Sequence, residues 1–271
     1  MIAFPNAKIN LGLNVLDKRA DGFHNIDTVF FPVDLCDILE IIKTDDSKTS
    51  FNSSGLMIPG DPETNLCMQA YYLLKDKFSL PNVKIHLHKI IPMGAGLGGG
   101  SSDAAFTLKL LNNLFDLKIN NSDLLKLASI LGSDCVFFIL NEPVAAVERG
   151  DRFKKTTLDL SGYQVVIVVP DIHVNTAFAY SKITPQKNKS LSSNIIEEEH
   201  IKDWKSKLVN DFEDPIFSIY PELKNIKSAL YKFGATYASM SGSGSAVYGL
   251  FKHPVDLSSN FKDYFYWSSR I

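Results

Sequence analysis

Polar and apolar residues alternate from the start of the chain. In "AKINLGLNVLDK", Ile9, Leu11, Leu13 and Val15 fall on one face of a strand, with Lys8, Asn10, Gly12 and Asn14 on the other. "RADGFH" supplies an Asp-Gly turn, and "HNIDTVFFPVDL" reads as the returning strand. "ILEIIK" predicts a further short strand. In "DPETNLCMQAYYLLKDKF" the period changes: Leu66, Ala70, Leu73 and Leu74 form a helical stripe, with Asp61 placed to cap and Pro62 suited to a first turn. "NVKIHLHKI" returns to alternation, with Val83, Ile85 and Leu87 on one face.

That strand runs straight into "PMGAGLGGGSSDAA", which places five glycines in the seven positions 94–100. Ala104, Ala105, Leu108, Leu111 and Phe115 then recur at helical spacing. "NSDLLKLASILG" predicts a second helix, capped by Ser122 and ended by Gly132. The continuous apolar run "YQVVIVVP" predicts a buried strand opening a second unit. The polar stretch 184–200 predicts an exposed connection, followed by helical patterns over 201–212 and 221–233. "ATYASMSGSGSAVYGLF" reads as two strands flanking another Gly/Ser loop. Strands and helices mixed without strict alternation indicate an α+β fold. The expected domains are 1–155 and 156–271.

Composition narrows the partners more than the fold. Of 271 residues, 45% are hydrophobic and 21% charged, and the net charge of -2 offers nothing to a nucleic acid or an anionic membrane. Phosphate binding has to come from local geometry. Three scattered cysteines form neither a disulfide framework nor a zinc site and are expected to be reduced thiols. The N-terminus has no basic leader ahead of an apolar run, and no stretch reaches the ~20 apolar residues of a spanning helix. The expectation is a soluble, cytoplasmic protein.

The glycine loop is where chemistry is expected. Glycines opening a helix point several N–H groups at one spot, and the helix dipole adds positive charge there. Such a loop binds phosphate without arginines; the bland alternative is a tightly turned connection. No lysine follows the glycines, so this is no P-loop. Gly94, Gly96 and Gly99 fit a dinucleotide pattern with Asp116 downstream, but that acidic residue should end a second strand, and "LNNLFDLKINNSD" joins two helices. Protein-kinase signatures are missing.

"PMGAGLGGGSSDAA" resembles the second motif of the GHMP small-molecule kinases. "AKINLGLNVLDKRADGFHNIDTVF" is similar to the N-terminal motif of one branch, and "MSGSGSAVYGLF" to the family's third motif. The "RADGFH" turn marks the branch that phosphorylates the 2-hydroxyl of a cytidine-diphosphate-linked methylerythritol in non-mevalonate isoprenoid synthesis. The resemblance implies a two-domain GHMP kinase fold, with a ribosomal-protein-S5-like N-terminal domain and an α/β-plait C-terminal domain. It also implies ATP and Mg²⁺ as cofactors, that small molecule as partner, and a monomer or weak homodimer.

The family's roles carry over residue by residue. Pro92, Met93, Gly94, Ala95, Gly96 and Leu97, then Gly98, Gly99 and Gly100, correspond to the triphosphate cradle, with the hydroxyls of Ser101 and Ser102 near the phosphates or Mg²⁺. As bare residues those serines read equally well as helix caps. Asp134, in "LGSDCVFFIL", matches the aspartate that takes or orients the acceptor's proton. Without the resemblance it reads as a cap before 136–140, and Val136 stands where the family usually has proline. Lys8 matches the lysine that pairs with that aspartate, though alone it reads as a charge on a wet strand face. Asn10 projects from the same face. Phe23 and His24 match an aromatic-histidine pair that holds cytosine, and Tyr180 falls where a second aromatic closes the sandwich. Phe23 replaces the commoner tyrosine and Tyr180 the commoner phenylalanine, so stacking, worth ~1–3 kcal/mol per base, is kept. Thr176, Gly242 and Gly244 complete the expected acceptor contacts. Asp27, Asp37 and Asp151 are read as turn or surface carboxylates.

Overall fold

The computed structural model describes residues 1–186 and 190–271. The first strands are β1 (Ile2–Ala3), β2 (Asn6–Lys18), β3 (His24–Cys36), β4 (Ile38–Lys43) and β5 (Ser50–Gly55). Then come α1 (Leu66–Phe78), β6 (Val83–Lys89), α2 (Gly99–Leu114), α3 (Asn121–Leu131), α4 (Ser133–Leu140), β7 (Val144–Glu148) and β8 (Arg152–Lys155). The remainder is β9 (Gln164–Val169), α5 (Thr176–Ser181), α6 (Ser192–Glu198), α7 (Trp204–Lys207), α8 (Glu213–Ile219), α9 (Pro221–Lys232), β10 (Tyr237–Met240), β11 (Val247–Phe251) and β12 (Phe265–Arg270). Two compact units result, one of residues 1–7, 34–93 and 98–142, the other of 8–33, 94–97 and 143–271.

In the first unit the sheet order is β1-β4-β6-β5, with β5 parallel to β6 and the other pairs antiparallel. Alternation sets its sides: Leu39, Ile41, Val83, Ile85 and Leu87 are buried, while Glu40, Lys84 and His86 are exposed. The helices bury Met68, Tyr71, Leu74, Leu108, Leu111, Leu127 and Phe137. Each such side chain contributes at most about 1.5–3 kcal/mol. α3 is capped by Asn120, whose side chain accepts from the Asp123 N–H, and not by Ser122. Ser122 instead donates to Asn120. Strand β5 had no apolar alternation to announce it; "SFNSSG" is mostly exposed and is held by backbone pairing at the sheet edge.

The second unit contains the antiparallel sheet β10-β11-β9-β12 and most of the sheet β2-β3-β7-β8. β9 lies between β11 and β12 with both faces buried, which is why its sequence is continuously apolar. Leu223, Ile226 and Leu230 of α9 share a core with Val166, Val168, Ala238 and Val247. The polar stretch 184–200 is not simply an exposed connection: α6 forms there, with Ser192, Ile195 and Ile196 buried. Its residues 187–189 lie outside the described residues. The helical pattern over 201–212 is realised as a 3-10 turn, the four-residue α7, and a bridge from Asn210 to Leu13. Cys36, Cys67 and Cys135 are free thiols. Among the described residues no helix is long and apolar enough to cross a membrane.

Candidate active site

In the second unit, the polar face of β2 is buried. Lys8 is 4% and Asn10 2% exposed, so the wet-face reading of Lys8 is corrected. Lys8 Nζ donates to Asn10 Oδ1 at 2.6 Å and stands over the Phe30 ring at 4.8 Å. The Lys8 N–H donates to the Leu97 carbonyl at 2.9 Å, which ties this strand to the glycine loop. The third-motif loop joins them: Ser241 Oγ donates to the Gly96 carbonyl at 2.8 Å and accepts from the Asn10 N–H at 3.2 Å. Ala246 N–H donates to the Ala95 carbonyl at 3.0 Å. Gly96 has φ +79°, and a Cβ there would lie 2.0 Å from the Ser241 carbonyl oxygen. No other residue fits.

Two residues that the sequence did not single out shape that loop. Asn210, buried, donates from Nδ2 to the carbonyls of Met240 and Gly242, both at 2.8 Å. Glu213 accepts from Ser239 Oγ at 3.0 Å and the Met240 N–H at 2.8 Å. Gly242 and Gly244, at φ +56° and +90°, form the turn so held. In the sequence Asn210 and Glu213 stand on either side of the apolar Phe212, in "NDFE".

The expected cytosine contacts surround one cavity of about 700 Å³ in this unit, lined by Lys18, Phe23, His24, Arg149, Thr176 and Tyr180 among others. His24 stacks on Tyr180 with ring centroids 4.7 Å apart and planes 16° apart. Phe23 is 54% exposed, and the Arg149 guanidinium sits 5.0 Å from its ring centroid. Arg149 is braced by Asp151 at 3.0 Å, an ion pair across the β7–β8 turn. The "RADGFH" turn holds Phe23 in place: Arg19 N–H donates to the Phe23 carbonyl at 2.8 Å, and Phe23 N–H to Asp21 Oδ1 at 3.1 Å. Burial, aided by the positive charge of Lys18, holds the His24 imidazole below its ordinary pKa and so neutral at pH 7. Thr176 Oγ1 lies 3.3 Å from Ser243 Oγ, linking the cavity wall to the third-motif loop.

In the first unit, Pro92 and Met93 follow β6, and Gly98, at φ +73°, precedes α2. No side chain caps α2, so neither Ser101 nor Ser102 is a cap. Ser101 is half-buried; the Ser102 hydroxyl is fully buried without a hydrogen-bond partner among the described residues. Gly99 has Lys89 Nζ and Ile91 Cγ2 at 2.9 Å from where its Cβ would stand. Asp134 is half-buried in the first turn of α4, where the helix dipole favours a carboxylate.

Beside the loop lies a buried charge cluster that sequence reading missed. Lys89 forms ion pairs with Asp37 and, at 2.8 Å, with Asp103. Asp37 also accepts the N–H groups of Ile90 at 2.6 Å and Ile91 at 2.8 Å, fixing the chain just before the glycines. Burial and the Asp37 charge push the Asp103 carboxyl up to about 7, against the opposing pull of Lys89. Asp37 is therefore a buried anchor and not a turn or surface residue. Asp27 is likewise corrected: buried in β3, it accepts from Ser193 N–H at 2.9 Å and Ser193 Oγ at 2.8 Å. Asp151 does sit in a turn.

The model of the GHMP kinases N terminal domain matches residues 65–142, and that of the GHMP kinases C terminal matches residues 195–262. A 4-diphosphocytidyl-2-C-methyl-D-erythritol kinase of Azobacteroides pseudotrichonymphae is 52% identical over 254 residues, 94% of each chain. One from Parabacteroides distasonis is 46% identical over 273 residues, covering 100% of both. A crystal structure of a 4-(cytidine 5'-diphospho)-2C-methyl-D-erythritol kinase superposes with a TM-score of 0.83 at 32% identity, over 99% of this chain and 98% of that one.

Proposed function

The chain belongs to the 4-diphosphocytidyl-2-C-methyl-D-erythritol kinases, a family of GHMP kinases, and on that premise we propose that it phosphorylates the 2-hydroxyl of 4-diphosphocytidyl-2-C-methyl-D-erythritol with ATP. The observation that carries this reading is the cavity where Phe23, the His24–Tyr180 stack and Arg149 offer aromatic faces and a neutral imidazole to a pyrimidine.

The acceptor's 2-hydroxyl oxygen attacks the γ-phosphorus, its proton passes to Asp134, and ADP leaves with the electrons of the broken phosphoanhydride bond. Lys8, oriented by Asn10, stabilises the charge that builds on the attacking oxygen and the transferring phosphoryl. The N–H groups of 92–100 cradle the triphosphate, and Gly242 and Gly244 let the third-motif loop approach closely. Thr176 orients the acceptor beside the cavity. Mg²⁺ binds oxygen donors and is commonly held by phosphates, waters and few protein groups. The half-buried Ser101 hydroxyl at the start of α2 suits that role, and the Ser102 hydroxyl beside it is buried with its hydrogen-bonding capacity unused among the described residues. Bound there, Mg²⁺ would supply positive charge against the triphosphate. The family models, ending at 142 and starting at 195, support a functional division near 155. The enzyme acts in the cytoplasm as a monomer or weak homodimer.

The test is Mg²⁺-dependent ADP release with this acceptor beside homoserine, mevalonate and galactose, for wild type and Asp134→Ala. Turnover of the cytidyl acceptor alone, abolished in the variant, is expected. Turnover of another acceptor in its place would remove the cytosine reading of the cavity.

A further inference from the structure

Thr28 is fully buried in β3, and its hydroxyl stands between two groups of β2. It donates to the Gly12 carbonyl at 2.5 Å, and Asn10 Nδ2 lies 3.1 Å from it. A hydroxyl has one proton. With that proton on Gly12, Thr28 Oγ1 meets Asn10 only as an acceptor, so only the NH₂ end of the amide can face it. Asn10 Oδ1 is thereby turned to Lys8, whose ammonium donates to it at 2.6 Å. Every bond from Lys8 to Gly12 runs in one direction. A reversed amide would set an NH₂ against an ammonium and leave a carbonyl against a hydroxyl whose proton is already committed.

The two ends of an asparagine amide have nearly the same shape, so packing alone does not choose between them. The Leu97 carbonyl holds the backbone of Lys8, and Phe30 lies beneath its ammonium. We propose that Thr28 is a positioning residue for phosphoryl transfer, setting the orientation of the Asn10 amide and, through it, the place of the Lys8 ammonium. The inference rests on the role given to Lys8 above. Thr28 itself touches no substrate.

Thr28→Val keeps the shape and removes the hydroxyl; Thr28→Ser keeps the hydroxyl. The valine variant is expected to lose about 10- to 100-fold in kcat, the range of a small misplacement of a reacting group. Its KM values should stay within about threefold, since ground-state binding is untouched. Thr28→Ser should retain most of the rate. In an Asn10→Ala background the valine change should add less than about twofold, because its effect passes through Asn10. Independently of turnover, NMR should show the Asn10 side-chain amide protons protected from exchange in wild type and Thr28→Ser, and unprotected in Thr28→Val. A folded valine variant with wild-type kcat, or full additivity with Asn10→Ala, overturns the inference. Should the wild type not phosphorylate the cytidyl acceptor, the functional reading fails by itself and amide protection decides Thr28: protection unchanged in the valine variant overturns it. Should Thr28→Val not accumulate as folded protein, Thr28→Cys, a weak donor and acceptor, is expected to fall below Thr28→Ser in kcat. Equality of the two would sink the proposal.

Discussion

A single methyl group at Gly96 tests how tightly the glycine loop and the third-motif loop are joined. The residue has φ +79°, where alanine is disfavoured by about 1–2 kcal/mol. The added Cβ would stand 2.0 Å from the Ser241 carbonyl oxygen and 2.9 Å from its carbon, both backbone atoms that cannot rotate aside. Ordinary non-bonded separation is about 3.5–4.0 Å, so the two loops must part by more than about 1 Å. That parting breaks the Ser241 Oγ–Gly96 bond at 2.8 Å and the Ala246–Ala95 bond at 3.0 Å. At about 1 kcal/mol each, with the conformational term, the penalty is roughly 3–4 kcal/mol. Expressed in the reactive geometry, this is a loss of about 100- to 1000-fold in kcat/KM for ATP. Gly234→Ala is the control: φ is +95°, but nothing lies within 4 Å of its Cβ. It should lose a little thermal stability and no activity. Initial rates at varied ATP, with melting temperatures for both variants, decide the matter. Gly96→Ala with kcat/KM within about threefold of wild type, or Gly234→Ala equally impaired, would refute the reasoning.

Three further outcomes are expected. Arg149→Ala should raise KM for the cytidyl acceptor about 2- to 5-fold with kcat nearly constant, since a cation–π contact of about 0.5–1 kcal/mol then no longer holds the exposed Phe23; an unchanged KM in initial-rate assays would dismiss the brace. His24 is held below its ordinary pKa by burial and by Lys18, against Asp17, so acceptor binding should be complete at neutral pH and fall as pH drops through that lowered value. In Lys18→Ala the fall should begin at higher pH, and KM measured from pH 5 to 8 would contradict this if the midpoint stayed or moved down. Asp103 keeps its proton to about pH 7 when folded, while an ordinary aspartate releases it at 3.8. Folding therefore takes up a proton between these values, and stability falls as pH rises across that window. Asp103→Asn should flatten the slope of melting temperature against pH there; a slope identical to wild type would show that the titration lies elsewhere.

Where burial follows local alternation, the sequence was readable. β6, the glycine loop and α2 appear in the expected order, and the Asp-Gly turn between β2 and β3 carries Phe23 and His24 to the cavity. Strands without apolar alternation were silent, as β5 demonstrates, and so were the short strands β7, β8 and β12. The buried polar residues divide instructively. Lys89 continues the buried register of Val83, Ile85 and Leu87, and a lysine there requires a buried carboxylate, so it was discoverable. Asp37 gave no such sign, because its partners lie more than fifty residues away. Lys8 and Asn10 looked like a solvated strand face because nothing local reveals that a second layer covers them; the GHMP motif supplied what periodicity could not.

The Asn210–Glu213 turn bears on how portable the third motif is. The shape of residues 240–242 is written about thirty positions upstream, in an amide that grips two carbonyls and a carboxylate that grips a hydroxyl and an N–H. Grafting "MSGSGS" into another scaffold would therefore transfer its glycines but not its curvature. A working transplant has to carry "NDFE" with it, at a spacing that lets both grips close.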